Sequence, residues 1–394
     1  MSALSLSRLG PRSRKRAGSQ PIEYNLLLTA TLCLLAFGAV MVFSASSTTA
    51  LLGQSGDSAY YLKRTVVIGV VGLIVMRGLA ARGLQIVRPL TPFLLAAAFF
   101  LLLAVLVPGV GTSTNGASRW IGAGSFQIQP SELAKLSLVL YGASLLAARP
   151  TMVRSIRTLV PYLAVVALAC MLMVVEPDLG TAIVVCMATA ALLVAAGMRI
   201  RHLMILAGAI AVVVLLAILI EPYRMARLTG FLNPTGDPSG AGFQAIQAKI
   251  ALGSGGIFGV GLGQSLQKAF YLPEAHTDMI AAVIGEELGL AGLSVLVGLF
   301  GLFAYAGLRT AQRARDRYGK LLAAGLTSLV LVQAIVNLFA VLGLAPLTGV
   351  PLPFVSYGNS SLLIMLAATG LLLNVARGGR AAAPARRGAG AARL

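Results

Sequence analysis

One carboxylate stands out among the few chemically reactive side chains of this chain. Asp278 lies directly before an apolar run that begins at Ile280 and is long enough to enter a bilayer. Pro273 ends the element before it, and Thr277 is predicted to cap the helix that follows. A carboxylate at a membrane boundary faces water from a low-dielectric wall, where its pKa rises towards that of a general base. The sequence therefore predicts proton abstraction by Asp278.

A second charged group follows Pro130, which is predicted to open a helix. Glu132 and Lys135 lie three residues apart and hence on one face of that helix, just inside the membrane. Two interpretations stay open: an ion pair that neutralises both charges, or an anion site in which Lys135 binds a phosphate and Glu132 tunes it. Further cations predicted on the same side either bind an anionic head group of a substrate or merely contact lipid phosphates: Arg119, Arg224, Arg227, Lys249 and Lys268.

Other carboxylates have plainer interpretations. Glu176 and Asp178 flank a proline at a helix break, where Asp178 is at least as well explained as an N-cap as it is by a catalytic or metal role. Glu286 and Glu287 lie within the apolar run after Asp278. At least one of them must find a buried partner, because unpaired carboxylates in lipid are costly.

Signs of a metal or nucleotide site are weak. His276 and His202 are the only histidines, which excludes a histidine-rich metal site. A divalent ion such as Mg²⁺ or Mn²⁺ bound by carboxylates stays open, and no cofactor is firmly indicated. The glycine run from Gly253 to Gly263 lacks the Gly-Lys-Ser/Thr ending of a phosphate-binding loop. A close-packed re-entrant turn is predicted there, with backbone N–H groups still able to meet a diphosphate.

Composition places the chain in the membrane. Of its 394 residues, 58% are hydrophobic and 11% are charged, whereas soluble domains carry roughly 25% charged residues. An all-α integral membrane protein with about ten transmembrane helices is therefore predicted, with a long extracytoplasmic loop at 221–277 between spans 7 and 8. The predicted spans are roughly 25–45, 63–81, 89–107, 130–148, 158–175, 180–197, 203–220, 279–308, 319–345 and 354–376.

The net charge of +19 is explained by topology. Of the 31 Lys and Arg residues, 23 fall in the two tails and in four alternate loops. The positive-inside rule places these segments, with both termini, in the cytoplasm. The predicted organisation is a basic tail (1–24), a membrane domain (25–376) and a second basic tail (377–394), and the tails are expected to contact anionic membrane lipid, with no nucleic acid bound.

Several motifs together resemble the SEDS family of polytopic membrane proteins, the group of FtsW, RodA and SpoVE. They are specific and extend over nearly all of the predicted span region. The matching segments are Arg119-Trp120, Gln129-Pro-Ser-Glu132-x-x-Lys135, Glu176-Pro-Asp-Leu-Gly-Thr181, Phe231-Leu-Asn-Pro234, Tyr271-Leu-Pro-Glu-Ala-His-Thr-Asp278, Gly285-Glu-Glu-Leu-Gly289 and Pro351-Leu-Pro-Phe-Val-Ser-Tyr-Gly358.

The resemblance implies a ten-span fold in the bacterial cytoplasmic membrane and a peptidoglycan glycosyltransferase that polymerises lipid II on the outer face. It also implies a class B penicillin-binding transpeptidase as partner, and it makes Asp278 the essential carboxylate. Residues 264–268 and 270–276 look most like the division member of the family, which predicts a place at the septum with other divisome proteins. Met279 and Asn359 depart from the family pattern, and we expect them to alter packing or rate before chemistry is lost.

In the predicted reaction, Asp278 takes the proton from the 4-hydroxyl of the acceptor sugar. Supporting roles are predicted for Asp178, His276 and Glu286. The leaving diphosphate is stabilised by a divalent ion or by one or more of five cations: Arg119, Lys135, Arg227, Lys249 and Lys268. Two alternatives stay open: a lipid II flippase that uses Glu132, Lys135 and Glu286, and a non-enzymatic divisome scaffold. An outward-facing carboxylate beside a long ordered loop favours chemistry, because a flippase needs polar groups across the depth of the bilayer.

Overall fold

The computed structural model describes residues 20–52, 56–114, 117–123, 126–236, 240, 242–269 and 271–378. The two predicted basic tails therefore lie almost wholly outside the described residues. Within them, nine helices are long and apolar enough to cross a membrane, and one small antiparallel sheet accompanies the helices. The predicted all-α membrane class is confirmed.

Eleven α-helices follow one another within the described part of the chain. They are α1 Ile22–Leu52, α2 Tyr60–Val105, α3 Pro130–Ala148, α4 Ile156–Val175, α5 Leu179–Ala196, α6 Ile200–Ile220, α7 Pro222–Leu232, α8 Phe243–Gly255, α9 Ile280–Arg313, α10 Arg317–Val341 and α11 Asn359–Ala376. The strands β1 Gly111–Thr114, β2 Ala117–Ala123 and β3 Phe126–Ile128 pair in chain order, in a segment where only a loop was expected.

Helix α2 takes the place of two predicted spans, 63–81 and 89–107. Its 46 residues measure about 69 Å at 1.5 Å per residue, more than twice the hydrocarbon thickness of about 30 Å. Pro89 and Pro92 lie inside it and remove backbone donors, which permits a bend. The two predicted spans are thus joined in one helix and not separated by a loop, because the segment between the two apolar runs stays helical.

Contacts along α2 show that it turns back. Tyr61, near its start, packs against His276 with 4.4 Å between ring centroids. The carbonyl of Ala80, in its middle, accepts a hydrogen bond from Asn374 near the opposite end of the bundle (3.0 Å). The last residue of α2 leads through the sheet to Gln129, which binds the start of α11. Both ends of α2 therefore lie at the same end of the bundle.

Charged residues from three distant segments meet at the end of the bundle where α1 begins. Glu23 of α1 accepts a hydrogen bond from Arg313 and lies 3.8 Å from the Nε of Arg309. Arg377, after α11, lies over the ring of Tyr24 at 4.4 Å. These contacts bring segments predicted to be cytoplasmic to the same end of the molecule. The side of the membrane that this end faces stays a prediction.

The glycine run after α8 docks on a break in α9. Gly289 has a φ of 65°, which interrupts the helical hydrogen bonds. The carbonyls of Glu286 and Glu287 accept hydrogen bonds from the N–H groups of Val260 and Gly261 instead, both at 3.0 Å. The predicted close-packed turn is confirmed, and it satisfies backbone groups that would otherwise be buried without partners.

The central helices of the bundle hold the candidate residues. Most residues of α10 are buried, and so are most residues of α11, whereas α6 has no buried residue. Helix α3 packs against α2, α5 and α10 and carries Glu132 and Lys135 into the core. Asp278 lies in the turn that leads into α9, at the end of the bundle opposite to Glu23.

Candidate functional site

The turn before α9 positions Asp278. The helix begins at Ile280 with Met279 as its N-cap residue, and no side chain caps it. The hydroxyl of Thr277 instead donates to Glu274, 2.9 Å from Oε2. The prediction that Thr277 caps α9 was therefore wrong, because its hydroxyl is engaged one turn earlier in the chain.

Asn337 of α10 holds the backbone of this turn. Its side-chain amide donates to the carbonyl of Asp278 at 2.7 Å and to the carbonyl of Val350 at 2.8 Å. One buried side chain thus ties the carboxylate-bearing turn to the segment between α10 and α11. The position of Asp278 therefore depends on α10 as well as on its own helix.

The environment of Asp278 suits a base. Burial and, to a smaller extent, the charge of Glu274 raise the pKa of its carboxyl group, whereas Arg227 and Thr277 lower it, and the net result is a pKa of about 6. The predicted direction of the pKa shift is confirmed. Such a group is mostly ionised at neutral pH and is a stronger base than an ordinary aspartate.

Arg227 and Asp278 flank one gap at the end of the bundle. Their Nη1 and Oδ2 atoms lie 3.8 and 3.9 Å from the position that a Cβ on Gly349 would occupy. Gly349 has a φ of 70° and no side chain, so the gap stays open. Arg227 also donates to the carbonyl of Leu347 at 3.0 Å, which fixes its guanidinium group. A substrate hydroxyl can enter between the base and the cation.

Two of the predicted cations share a cavity beside this gap. Arg227 and Lys249 line a cavity of about 390 Å³ formed by α7, α8 and the residues that follow α10. The ring of Tyr223 lies 4.9 Å from the Arg227 guanidinium group. The structure thus brings Arg227 and Lys249 together, 22 residues apart in sequence, next to Asp278.

Aromatic rings pack around the same turn. The ring of His276 lies 4.4 Å from that of Tyr61 and 5.6 Å from that of Tyr357, measured between centroids. The N–H of Tyr357 donates to the carbonyl of His276 at 2.9 Å. Burial lowers the pKa of His276, which keeps its imidazole neutral at pH 7. These contacts make His276 part of the packing of the turn, and its predicted supporting role stays a prediction.

Glu132 and Lys135 form the neutralising pair that was one of the two interpretations. Their charged atoms lie 2.9 Å apart, and both side chains are almost fully buried. Lys135 also donates to Gln333 at 2.5 Å. Binding of a phosphate by Lys135 stays a prediction.

Gln333 and Asn337 of α10 are the site residues that sequence reasoning missed. They lie four residues apart and hence on one face of α10, inside the predicted span 319–345. Gln333 binds the pair on α3 and Asn337 binds the turn of Asp278. The sequence did carry a signal for them, because two polar side chains on one face of an apolar span indicate buried polar partners.

Arg119 and Asp178 tie the sheet to α3 and α5. The guanidinium group of Arg119 donates to the carbonyls of Glu176 (3.1 Å) and Pro177. Asp178 accepts hydrogen bonds from the N–H of Thr181 (3.2 Å) and from the hydroxyl of Ser131 (2.9 Å). The N-cap interpretation of Asp178 is confirmed. None of these contacts involves Asp278, and the predicted role of Arg119 towards substrate stays a prediction.

Lys268 is paired inside the protein. Its Nζ lies 2.7 Å from Glu287, with 4% and 0% of the two side chains exposed. Ser44 of α1 donates to the same carboxylate at 2.6 Å, and Glu286 accepts hydrogen bonds from Ser265 and from the N–H of residue 266. The prediction that a carboxylate in this pair has a buried partner is confirmed, and the charge of Lys268 is neutralised by it.

Divalent metal binding was left open by the sequence. Across the part of the chain that the structure describes, no group of three or more His, Cys, Asp or Glu residues is arranged to hold a metal ion. An ion at Asp278 would therefore take most of its oxygen ligands from water, backbone carbonyls or substrate phosphates.

The bundle of long apolar helices defines a polytopic membrane protein. One end of the bundle holds a carboxylate of raised pKa beside a cationic cavity, which is a candidate enzyme site. The FtsW/RodA/SpoVE family model, described as "Cell cycle protein", matches residues 24–381. The chain belongs to this family.

Individual relatives agree with this assignment. Stage V sporulation protein E of Bacillus subtilis is 42% identical over 354 residues, which cover 89% of this chain and 96% of the relative. A probable peptidoglycan glycosyltransferase FtsW of Trichlorobacter lovleyi is 42% identical over 359 residues, covering 90% and 94% of the two chains.

Two solved structures have the same fold. One is a chain of the structure described as "Structural coordination of polymerization and crosslinking by a peptidoglycan synthase complex". It matches with a TM-score of 0.71 and 32% identity, and the match covers 89% of this chain and 96% of that one. The rod shape determining protein RodA of Thermus thermophilus matches with a TM-score of 0.63 and 30% identity, covering 89% and 95% of the two chains.

Proposed function

We propose that this protein is a peptidoglycan glycosyltransferase that polymerises lipid II into glycan strands on the outer face of the bacterial cytoplasmic membrane. Its family and the activity named for its curated relatives support this class of reaction. The single observation that carries the proposal is the half-buried Asp278, with its raised pKa, across an open gap from Arg227.

The chemistry follows from that pair. Asp278 accepts the proton of the acceptor 4-hydroxyl while the hydroxyl oxygen forms a bond to the anomeric carbon of the donor sugar. The bond from that carbon to the diphosphate oxygen breaks, and the diphosphate leaves with the electron pair. General-base help of this kind contributes about 10²–10⁴-fold. Cations beside the leaving oxygen stabilise its growing charge.

The setting of the reaction belongs to the same proposal. The similarity to a chain of a peptidoglycan synthase complex supports a class B penicillin-binding transpeptidase as partner. The relatives named FtsW support a place at the division septum among divisome proteins. The distribution of Lys and Arg supports a cytoplasmic location for both termini. Glu132 and Lys135 pair with each other and Glu286 is bonded to the loop before α9, so no observation favours the flippase.

Polymerisation of fluorescent lipid II by purified protein, with and without the transpeptidase, tests the function. We expect glycan ladders from wild type, no ladders from Asp278→Asn, and wild-type ladders from Lys63→Gln. Lys63 is a matched control because it is an exposed charged residue that pairs with Asp57, outside the cavity and the gap. Ladders from folded Asp278→Asn would contradict the assignment of the base. Absence of ladders from wild type under all conditions would leave the flippase or the scaffold.

A further inference from the structure

We infer that the cavity between α7 and α8 binds the diphosphate of a polyprenyl-linked substrate, and that Arg227 and Lys249 are its two cationic groups. The inference rests on the proposed function and adds a location to it. It assigns the leaving group to one cavity, whereas the sequence left five cations as equal candidates.

The walls of the cavity select for an anion. Arg227 comes from α7 and Lys249 from α8, so two separate helices direct positive charge into a volume of about 390 Å³. The other described lining residues are uncharged, and most are apolar or glycine. Two phosphoryl groups match this arrangement, since a guanidinium fork binds one phosphate bidentately and an ammonium group binds a second as a point charge.

Among the described residues, no carboxylate lies within ion-pair distance of Arg227 or Lys249, and Asp278 lies across the gap from Arg227. Three other lysines each lie within 2.9 Å of a carboxylate oxygen: Lys63, Lys135 and Lys268. Cations that share a cavity without a carboxylate partner repel each other, and a bound anion removes that cost.

Backbone geometry makes room for Lys249 at the cavity. Gly343 has a φ of 70°, and a Cβ at this position would lie 2.8 Å from the Cε of Lys249. A side chain here would push the end of the lysine aside, and the positive φ disfavours any residue other than glycine. The glycine after α10 allows the ammonium group to extend along this wall.

Arg227 joins the cavity to the gap beside Asp278. The same guanidinium group lines the cavity and reaches to 3.8 Å from the position beside Gly349 that lies 3.9 Å from the carboxylate. A diphosphate in the cavity is thus held next to the base, with the reacting carbon between them. That order is what a single displacement needs, because the attacking oxygen and the leaving oxygen lie on opposite sides of the carbon.

Direct binding of a short polyprenyl diphosphate tests the inference. We would measure the Kd of geranylgeranyl diphosphate for the full chain in nanodiscs of zwitterionic lipid. Competition with geranylgeranyl monophosphate and with phosphatidylglycerol separates a substrate site from a site for lipid head groups. We expect both competitors to displace the diphosphate poorly, because each offers one phosphate to two cations.

Four variants make the result specific. Lys249→Gln and Arg227→Gln are each expected to raise the Kd about tenfold or more, since each removes a charge-assisted contact. Ala245→Phe narrows the cavity while both charges remain, and is expected to weaken binding as well. Lys63→Gln is expected to bind as wild type does, and thermal unfolding of each variant reports whether it is folded.

Wild-type affinity in Lys249→Gln and Ala245→Phe, or displacement by phosphatidylglycerol as strong as by the diphosphate, would overturn the inference. Asp278→Asn separates this outcome from failure of the proposed function. We expect that variant to bind the diphosphate and to lack polymerisation. Binding that is unchanged in the cavity variants, together with polymerisation that needs Asp278, would reject the cavity and leave the enzyme in place.

Discussion

Burial and two charged neighbours decide what Asp278 can do. Burial and the charge of Glu274 favour its protonated form, whereas Arg227 favours its ionised form. The balance leaves a carboxylate with a pKa of about 6, which suits a general base that works near neutral pH. A carboxylate fully neutralised by an arginine would be a much weaker base.

The pH dependence of polymerisation follows from this pKa. A general base works in its ionised form, so the rate is expected to be near its maximum above about pH 7 and to fall about tenfold per unit below pH 6. Initial rates of lipid II polymerisation between pH 5 and pH 8 measure the profile. A rate that stays constant down to pH 5 would rule out Asp278 as the base.

Glu274 is expected to tune the profile. The substitution Glu274→Gln removes a negative charge that raises the pKa of Asp278, so the midpoint of the rate profile is expected to move to lower pH. The substitution Arg227→Gln removes a charge that lowers the same pKa, and the midpoint is expected to move to higher pH. Shifts in the same direction for both variants would contradict this electrostatic account.

At the scale of elements, the break in α9 and the glycine run that covers it form one unit. A Cβ at Gly255 would lie 1.9 Å from the carbonyl oxygen of Gly285, and one at Gly259 would lie 2.1 Å from that of Glu287. Contacts this close leave no space for a side chain. The glycines thus permit the backbone pairing that supports the start of α9.

The pair Gly255→Ala and Gly253→Ala tests this docking. Both positions lie in α8, but nothing lies within 4 Å of a Cβ at Gly253. We expect Gly255→Ala to lower the free energy of unfolding by about 1–3 kcal/mol through overpacking, and Gly253→Ala to raise it by about 0.5–1 kcal/mol. Thermal unfolding in detergent measures both. Equal stability of the two variants would show that the glycine run does not dock closely.

Lys268 is expected to act on stability through its ion pair with Glu287. The substitution Lys268→Met leaves a buried carboxylate without its counter-charge and is expected to cost about 3–5 kcal/mol. Adding Glu287→Leu is expected to restore much of that loss, which a double-mutant cycle measures. If the double variant is as stable as wild type but cannot polymerise lipid II, Lys268 has the substrate role that the sequence suggested.

At the scale of the whole molecule, the two ends of the bundle differ in chemistry. One end holds the cluster of Glu23 with Arg309 and Arg313, and the other holds Asp278 beside the cationic cavity. Helix α2 starts and ends at the same end because it bends in its middle. The nine long helices of the described chain therefore run through the bundle as often as ten separate spans would, and Tyr24 and Arg377 meet at one end of it.

Reporter fusions test this arrangement. Alkaline phosphatase, which is active only outside the cytoplasm, is expected to be active when fused after Gly236 and inactive when fused after Gly378. A cytoplasmic fluorescent reporter is expected to give the opposite result at the two positions. Activity of the phosphatase at Gly378 would mean that the bundle has an odd number of crossings or the opposite orientation.

The sequence by itself determined the membrane class, the positions of most spans and the prominence of Asp278. These are local properties, because hydropathy over about 20 residues decides whether a helix enters lipid and an ionisable group beside such a run is costly wherever it lies. The helical start at Pro130 and the cap at Asp178 are local as well, and the structure confirms both.

Only the tertiary structure decided which charges meet. Lys268 pairs with Glu287, Lys135 meets Gln333, and Arg227 is brought to Asp278, although their separations in sequence differ widely. The energy of each pair depends on distance and burial, which sequence spacing does not specify beyond one or two helical turns. The bend of α2 is decided in the same way, since a helical segment between two apolar runs has no local signal that distinguishes it from a loop.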